Sequence, residues 1–102
     1  MVKLMVLYGP PTDPAAFDAH YAETHAALAL NIPGLQRFEA ASVVGTPDGS
    51  APPYHLVAEL YFEDADALQA AMGSEEGQAA AADIPTFATG GATLLVAAVQ
   101  DN

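Results

Sequence analysis

The stretch from Tyr54 to Phe62 (YHLVAELYF) separates into two faces. Leu56, Ala58, Leu60 and Phe62 are all apolar, and His55, Val57, Glu59 and Tyr61 alternate with them. A period of two belongs to a strand, with successive side chains on opposite faces of a sheet. The apolar set needs a covering layer, so the segment predicts a sheet with helices on one side. The second set, rich in Val and Tyr, is too apolar for open solvent and calls for a cover of another kind.

The other elements fall in place around this strand. Val2 to Tyr8 (VKLMVLY) is a short apolar run ended by Gly9-Pro10-Pro11, and reads as a buried strand. Asp13-Pro14 opens a helix, Asp capping the free N–H groups and Pro fitting the first turn. That helix is expected to run to about Leu30 and to stop at Pro33-Gly34. Leu35 to Val44 reads as a second strand and residues 46–53 as a loop. Asp64 caps a short helix ending at Gly73. Ser74 caps another from Glu75 to about Asp83, ended by Pro85, and Gly90-Gly91 precede a last strand, Thr93 to Val99. The order strand, helix, strand, strand, helix, strand predicts an α+β, ferredoxin-like βαββαβ sandwich with an antiparallel sheet. The first and third strands are central and the last lies at an edge. Residues 1–102 form a single domain.

The last strand is apolar on both faces, and helices cover only one side of a sheet. An uncovered apolar edge is an aggregation hazard, so the expected solution is a homodimer formed through the sheet face, two sheets packing against each other. Charge narrows the other partners. Two Lys+Arg stand against 13 Asp+Glu, a net charge of −11. Nucleic acid and anionic membranes are recognised by neutralising phosphate with Lys and Arg, so no nucleic acid and no membrane partner is expected. There are no cysteines, which excludes disulfides, thiolate catalysis and Cys-ligated metal. The longest apolar run, Leu94 to Val99, is too short to span a bilayer and no signal-peptide pattern is present. A cytoplasmic location is expected.

Chemistry-bearing residues gather on the first helix. At about 100° per residue, Phe17, Tyr21, Thr24 and Leu28 form one apolar stripe, with His25 on one shoulder and His20 on the other. The two histidines diverge by about 140°, unlike the four-residue spacing of zinc helices. His20 reads as a surface residue. His25 reads either as a half-buried histidine bonded to a carbonyl or carboxylate, or as an acid/base at the rim of a cavity. Tyr8, on the face of Leu4 and Val6, either packs or lines that cavity. Glu59, mid-strand between apolar neighbours, is expected to pair with His55 or Tyr61 of a partner copy, or with Arg37, and otherwise to have a raised pKa. No nucleophile elbow, phosphate loop or metal spacing is present, so neither cofactor nor metal is expected.

The segment HAALALNIPGLQRF, preceded by Phe17 and Tyr21, resembles the EthD family, named for ethyl tert-butyl ether degradation. The shared pieces are Phe17, Tyr21, His25, Leu30, Pro33, Gly34 and Leu35, then Phe62 with Glu63-Asp64, Ser74-Glu75-Glu76-Gly77 and Asp83. The resemblance covers essentially the whole chain and implies a dimeric α+β barrel, in which two ferredoxin-like subunits join their sheets. Relatives in that superfamily include cofactor-free oxygenases, polyketide cyclases, haem-degrading enzymes, muconolactone isomerase and stress-response barrels. The first-strand histidines of the cyclases are missing, Leu4 standing there instead. The resemblance places a pocket between helices and sheet. His25 is then the candidate catalytic residue, with Tyr8, Phe17, Tyr21, Leu56, Leu60 and Phe62 as substrate-binding candidates. The expected function is binding, or cofactor-free conversion, of a hydrophobic, aromatic or polyketide-like metabolite. The alternative is a non-catalytic accessory or stress-related dimer in a degradation pathway.

Overall fold

The computed structural model describes residues 1–100. Four strands, β1 (Val2–Tyr8), β2 (Arg37–Ser42), β3 (Leu56–Phe62) and β4 (Ala92–Ala98), form one antiparallel sheet in the order β2-β3-β1-β4. Helices α1 (Pro14–His20), α2 (Ala26–Leu30), α3 (Ala65–Gly73) and α4 (Glu75–Phe87) occupy one face. This is the ferredoxin-like α+β sandwich, with β1 and β3 central. No helix among the described residues is long and apolar enough to cross a membrane.

The helix starts form as their side chains dictate. Asp13 accepts from the Ala16 N–H at 3.1 Å, Asp64 from Ala67 at 2.8 Å, and Ser74 Oγ from Gly77 at 3.0 Å. Gly77 is buried, and a Cβ there would overlap the Ala71 carbonyl. Its lack of a side chain lets α3 and α4 turn on each other at Ser74.

The alternation of β3 is strict: Leu56, Ala58, Leu60 and Phe62 are buried and the residues between them half-buried. Register sets Leu60 opposite Leu4, Ala58 opposite Val6 and Leu56 opposite Tyr8, so the two central strands present one apolar floor to the helices. With Phe17, Tyr21, Ala29, Ile32, Leu68, Ala71, Ala80 and Phe87 above it, this floor forms the core.

Three boundaries differ from expectation. The second and third strands are shorter than Leu35–Val44 and Tyr54–Phe62; Val44 lies outside β2 and is 98% exposed. Helix α4 passes through Pro85 and ends at Phe87. Proline removes one N–H and hence one bond to the carbonyl four residues back. That carbonyl belongs to the exposed Ala81, where water can take the missing place. The third difference concerns the first helix. It is not one regular α-helix but α1 and α2 joined by a π-helical turn, Tyr21–His25, closed by the Ala26 N–H to the Tyr21 carbonyl.

Candidate functional site

The π turn decides which way His25 points. It adds one residue to the turn, so everything after it is rotated back by about one residue's worth, roughly 100°. His25 and Ala29 thereby take the inward places that regular periodicity assigns to Thr24 and Leu28. Phe17, Tyr21, His25 and Ala29 are buried, Thr24 is exposed and Leu28 only half-buried. His25 is therefore not on the shoulder of the stripe but in it, 5% exposed.

Its two ring nitrogens have different partners. Nδ1 lies 3.0 Å from Asp83 Oδ2, and Nε2 lies 3.4 Å from the Tyr8 hydroxyl. An ionised carboxylate only accepts, so the hydrogen-bond network assigns the proton to Nδ1 and leaves the Nε2 lone pair toward Tyr8. Burial pushes the imidazole below its ordinary 6.5. Asp83 opposes that shift and His20 adds to it. In this tautomer Nε2 accepts from the Tyr8 hydroxyl, and the ring turns its basic nitrogen to the apolar interior.

Asp83 comes from α4 and serves both histidines. His20 Nε2 stands 3.0 and 2.9 Å from its two oxygens, and the Thr86 hydroxyl donates to Oδ1 at 3.1 Å. Burial alone pushes this carboxyl up. The hydrogen bonds from His20, His25 and Thr86 together outweigh burial and hold it below 3.8. Phe87 supports both rings, its centroid 4.9 Å from each.

A cavity of about 40 Å³ adjoins this cluster, bordered by Tyr8, Tyr21, His25, Leu60, Gly77 and Ala80 among others. The Tyr21 hydroxyl is buried without a hydrogen-bond partner among the described residues. Burial pushes it up to about 12, and pushes Tyr8 higher still with help from Tyr21 and Asp83. Both phenols are neutral donors at ordinary pH. Tyr8, Tyr21 and His25 lie with ring centroids 5.3 to 6.5 Å apart and all three border the cavity.

Of the residues picked out from sequence, Tyr8, Tyr21, Leu60 and His25 border the cavity. Phe17, Leu56 and Phe62 are core residues that do not. Phe17 packs edge-on to Tyr8 and borders a second groove of about 280 Å³ beside His20. Leu56 lies opposite Tyr8 in the sheet, and Phe62 is fully buried opposite Val2. His20 was expected on the surface and is instead tied to Asp83. Two further ionisable groups, Asp83 and His20, stand with His25 on this side of the sheet. His55 also differs. Expected on the far face, it precedes β3 and turns toward α1, 2.8 Å from Asp18 and edge-on to Phe17. Glu59 does lie on the far face, and pairs with Lys3 of its own chain at 3.2 Å while the Tyr61 hydroxyl donates to it at 3.1 Å. Among the described residues no group of three His, Cys, Asp or Glu is arranged to hold a metal ion.

Comparison with known proteins places this architecture. The EthD domain family matches residues 9–91. An uncharacterized 11.0 kDa protein in the thcB-thcC intergenic region of Rhodococcus erythropolis is 44% identical over 95 residues, 93% of this chain and 91% of its own. The crystal structure of an EthD family protein from Bacillus halodurans C-125 superposes with a TM-score of 0.93 at 41% identity, covering 98% of this chain and 99% of that one. Two more distant structures share the fold. A mutant of SnoaB, a cofactor-independent oxygenase from Streptomyces nogalater, gives a TM-score of 0.68 at 19% identity, covering 99% and 94% of the two chains. A dimeric ferredoxin-like protein of unknown function from Thermobifida fusca gives 0.72 at 16%, covering 96% and 90%. Family match, close relatives and a shared fold along nearly the whole length agree: the chain belongs to the EthD family.

Proposed function

We propose that this protein binds a small hydrophobic metabolite bearing a carbonyl or hydroxyl oxygen, and moves a proton on it with His25 as the base and no cofactor. The observation that carries this reading is the pairing of His25: Nδ1–H is held by Asp83 while Nε2 is left toward Tyr8 and the cavity. A carboxylate behind an imidazole fixes the tautomer and stabilises the imidazolium that forms on proton uptake. The partnerless Tyr21 hydroxyl supports an oxygen on the ligand, since a buried donor left unmade costs about 1–3 kcal/mol. Tyr8 and Tyr21 would hold that oxygen, and Leu60 and the alanines around it would meet the apolar part. We further propose that the working unit is a homodimer joined through the sheet face, in keeping with the exposed apolar residues of β4 and with the dimeric relative of the same fold. A cytoplasmic setting without membrane contact goes with that reading.

One observation favours the alternative of a non-catalytic accessory dimer. A cavity of about 40 Å³ is well below the roughly 150 Å³ that admits benzene. An aromatic ligand enters only if side chains around His25 move apart. A matched pair of probes separates the two readings. Acetophenone and ethylbenzene share a skeleton and differ in the carbonyl. In ¹H–¹⁵N spectra, acetophenone is expected to shift resonances of residues 21–25 and 80–83, and to bind at least about tenfold more tightly than ethylbenzene. Tyr21→Phe is expected to erase the preference. Equal binding of the two probes, or shifts confined to other surfaces, would remove the site assignment.

A further inference from the structure

Two imidazoles share one carboxylate. Asp83 Oδ2 lies 3.0 Å from His25 Nδ1 and 2.9 Å from His20 Nε2, and its Oδ1 lies 3.0 Å from the same His20 nitrogen. The rings differ in their access to water: the His20 side chain is 32% exposed and borders the outer groove, that of His25 is 7% exposed and borders the inner cavity. We infer that His20 is a positioning residue for His25, gripping Asp83 from the outer side so that its Oδ2 stays on His25 Nδ1 and the inner ring keeps Nε2 unprotonated.

Few charged groups face this pair of rings. The titratable groups facing His25 are Tyr8 from β1, Tyr21 from the π turn, Asp83 from α4 and His20 from α1 through Asp83. The two tyrosines are neutral donors. The chain's two cations, Lys3 and Arg37, pair with Glu59 and Glu39. Asp83 is thus the one anion hydrogen-bonded to either ring among the described residues. A positive charge on His25 would form in an apolar cavity on a carboxylate already shared with a second ring, and burial and then His20 lower its proton affinity against the pull of Asp83. His20 also fixes geometry. It contacts both carboxylate oxygens and stacks on Phe87, 28° from coplanar, and Phe87 in turn supports His25. Inside a closed apolar site, this holds the His25 ring with Nδ1 on Asp83 and Nε2 inward.

The inference rests on the proposed role of His25 as a base, but its test does not. Ring ¹⁵N shifts of His25 are followed with pH in the parent protein, His20→Gln and His20→Lys. In the parent, His25 is expected to keep Nδ1 protonated and Nε2 unprotonated at neutral pH. In His20→Gln the outer ring is gone and Asp83 is free for His25. The His25 midpoint is expected to rise by at least one pH unit, an increase of about tenfold in proton affinity. His20→Lys puts a cation at the same place and is expected to keep the midpoint at or below the parent value. A purely structural role for His20 would broaden lines or lower the melting temperature in both variants without this opposite response. Midpoints that agree within 0.3 units across all three proteins overturn the inference. If the glutamine variant does not fold, the parent and lysine titrations still decide, since a parent His25 that gains its second proton at or above pH 6.5 is equally fatal. A positive titration in a protein that binds acetophenone and ethylbenzene equally keeps the positioning role and discards the proposed site.

Discussion

At the scale of the residue, His25, Asp83, Tyr8 and Tyr21 tie stability to pH from both sides. His25 in the folded chain holds its proton less tightly than the ordinary 6.5, and Asp83 less tightly than 3.8. As pH falls from about 6.5, the unfolded chain therefore binds protons that the folded chain refuses, and stability falls with it. The Asp83 contribution, fully present above pH 3.8, is lost in turn as pH drops through its lowered folded value. Tyr8 and Tyr21 work at the other end. Both are raised above 10.0, so above that pH the unfolded chain releases protons that the folded chain keeps, and stability falls again. Urea unfolding from pH 3 to 11 is expected to give a plateau between about 7 and 10 with losses on both flanks. Asp83→Asn removes the negative charge and one of the two acceptor oxygens and is expected to cost about 1–3 kcal/mol at pH 7. It also flattens the part of the acid limb below pH 3.8, which Asp83 itself supplies. A limb below pH 3.8 that is unchanged in Asp83→Asn would place that sensitivity among the other 12 of the 13 Asp and Glu.

At the scale of the element, the π turn separates what the sequence displays from what it hides. The caps at Asp13, Asp64 and Ser74 are single residues acting on their own backbone, and they stand where their type predicts. The alternation in Leu56–Phe62 is local as well, and so is visible. The inward turn of His25 is not local. Regular periodicity gives the inner face to Thr24 and Leu28, and only the packing of Tyr21 and Ala29 against the core selects the wider turn. Asp83 was one residue in a family pattern and His20 one of two diverging shoulders. Nothing in a one-dimensional reading joins positions 63 residues apart. The clue available was weak: a histidine and an acid on the two helices that the topology lays side by side. If the turn exists to seat His25, then deleting Glu23, which is exposed in the turn, restores a regular α-helix with the histidine still facing in, displaced along the axis by about 1.5 Å. Such a variant is expected to fold with a melting temperature within a few degrees of the parent. Its His25–Asp83 hydrogen bond is expected to be lost, seen as a changed ring tautomer by ¹⁵N shift. A collapse of the fold would instead make the turn a requirement of the core.

At the scale of the molecule, the protomer is a plate 37 × 34 × 17 Å in its principal extents, one helix layer on one sheet. Its helices leave β4 bare: Leu94, Leu95 and Val96 are 47%, 50% and 63% exposed on both faces of that strand. The outer sheet face carries Met5, Leu7, Val57 and Leu95, with Lys3, Glu59, Tyr61, Arg37 and Glu39 hydrogen-bonded or stacked among themselves. These polar groups have their partners within the chain, so covering them leaves no new charge unpaired. A stable interface takes about 800 Å² from each partner, and the broad face of this plate offers more than that. The proposed dimer is therefore expected to sediment at twice the 10.5 kDa of the chain at micromolar concentration. Leu95 lies opposite Met5 on the outer face and is half exposed in the protomer. Leu95→Asp changes little in a single copy, whereas a buried unpaired carboxylate between two sheets costs several kcal/mol. The variant is expected to sediment as a folded monomer with its helix-side cavity and His25 tautomer unchanged. A parent protein that already runs at 10.5 kDa would refute the sheet-face dimer and leave the apolar β4 as an edge that tolerates water.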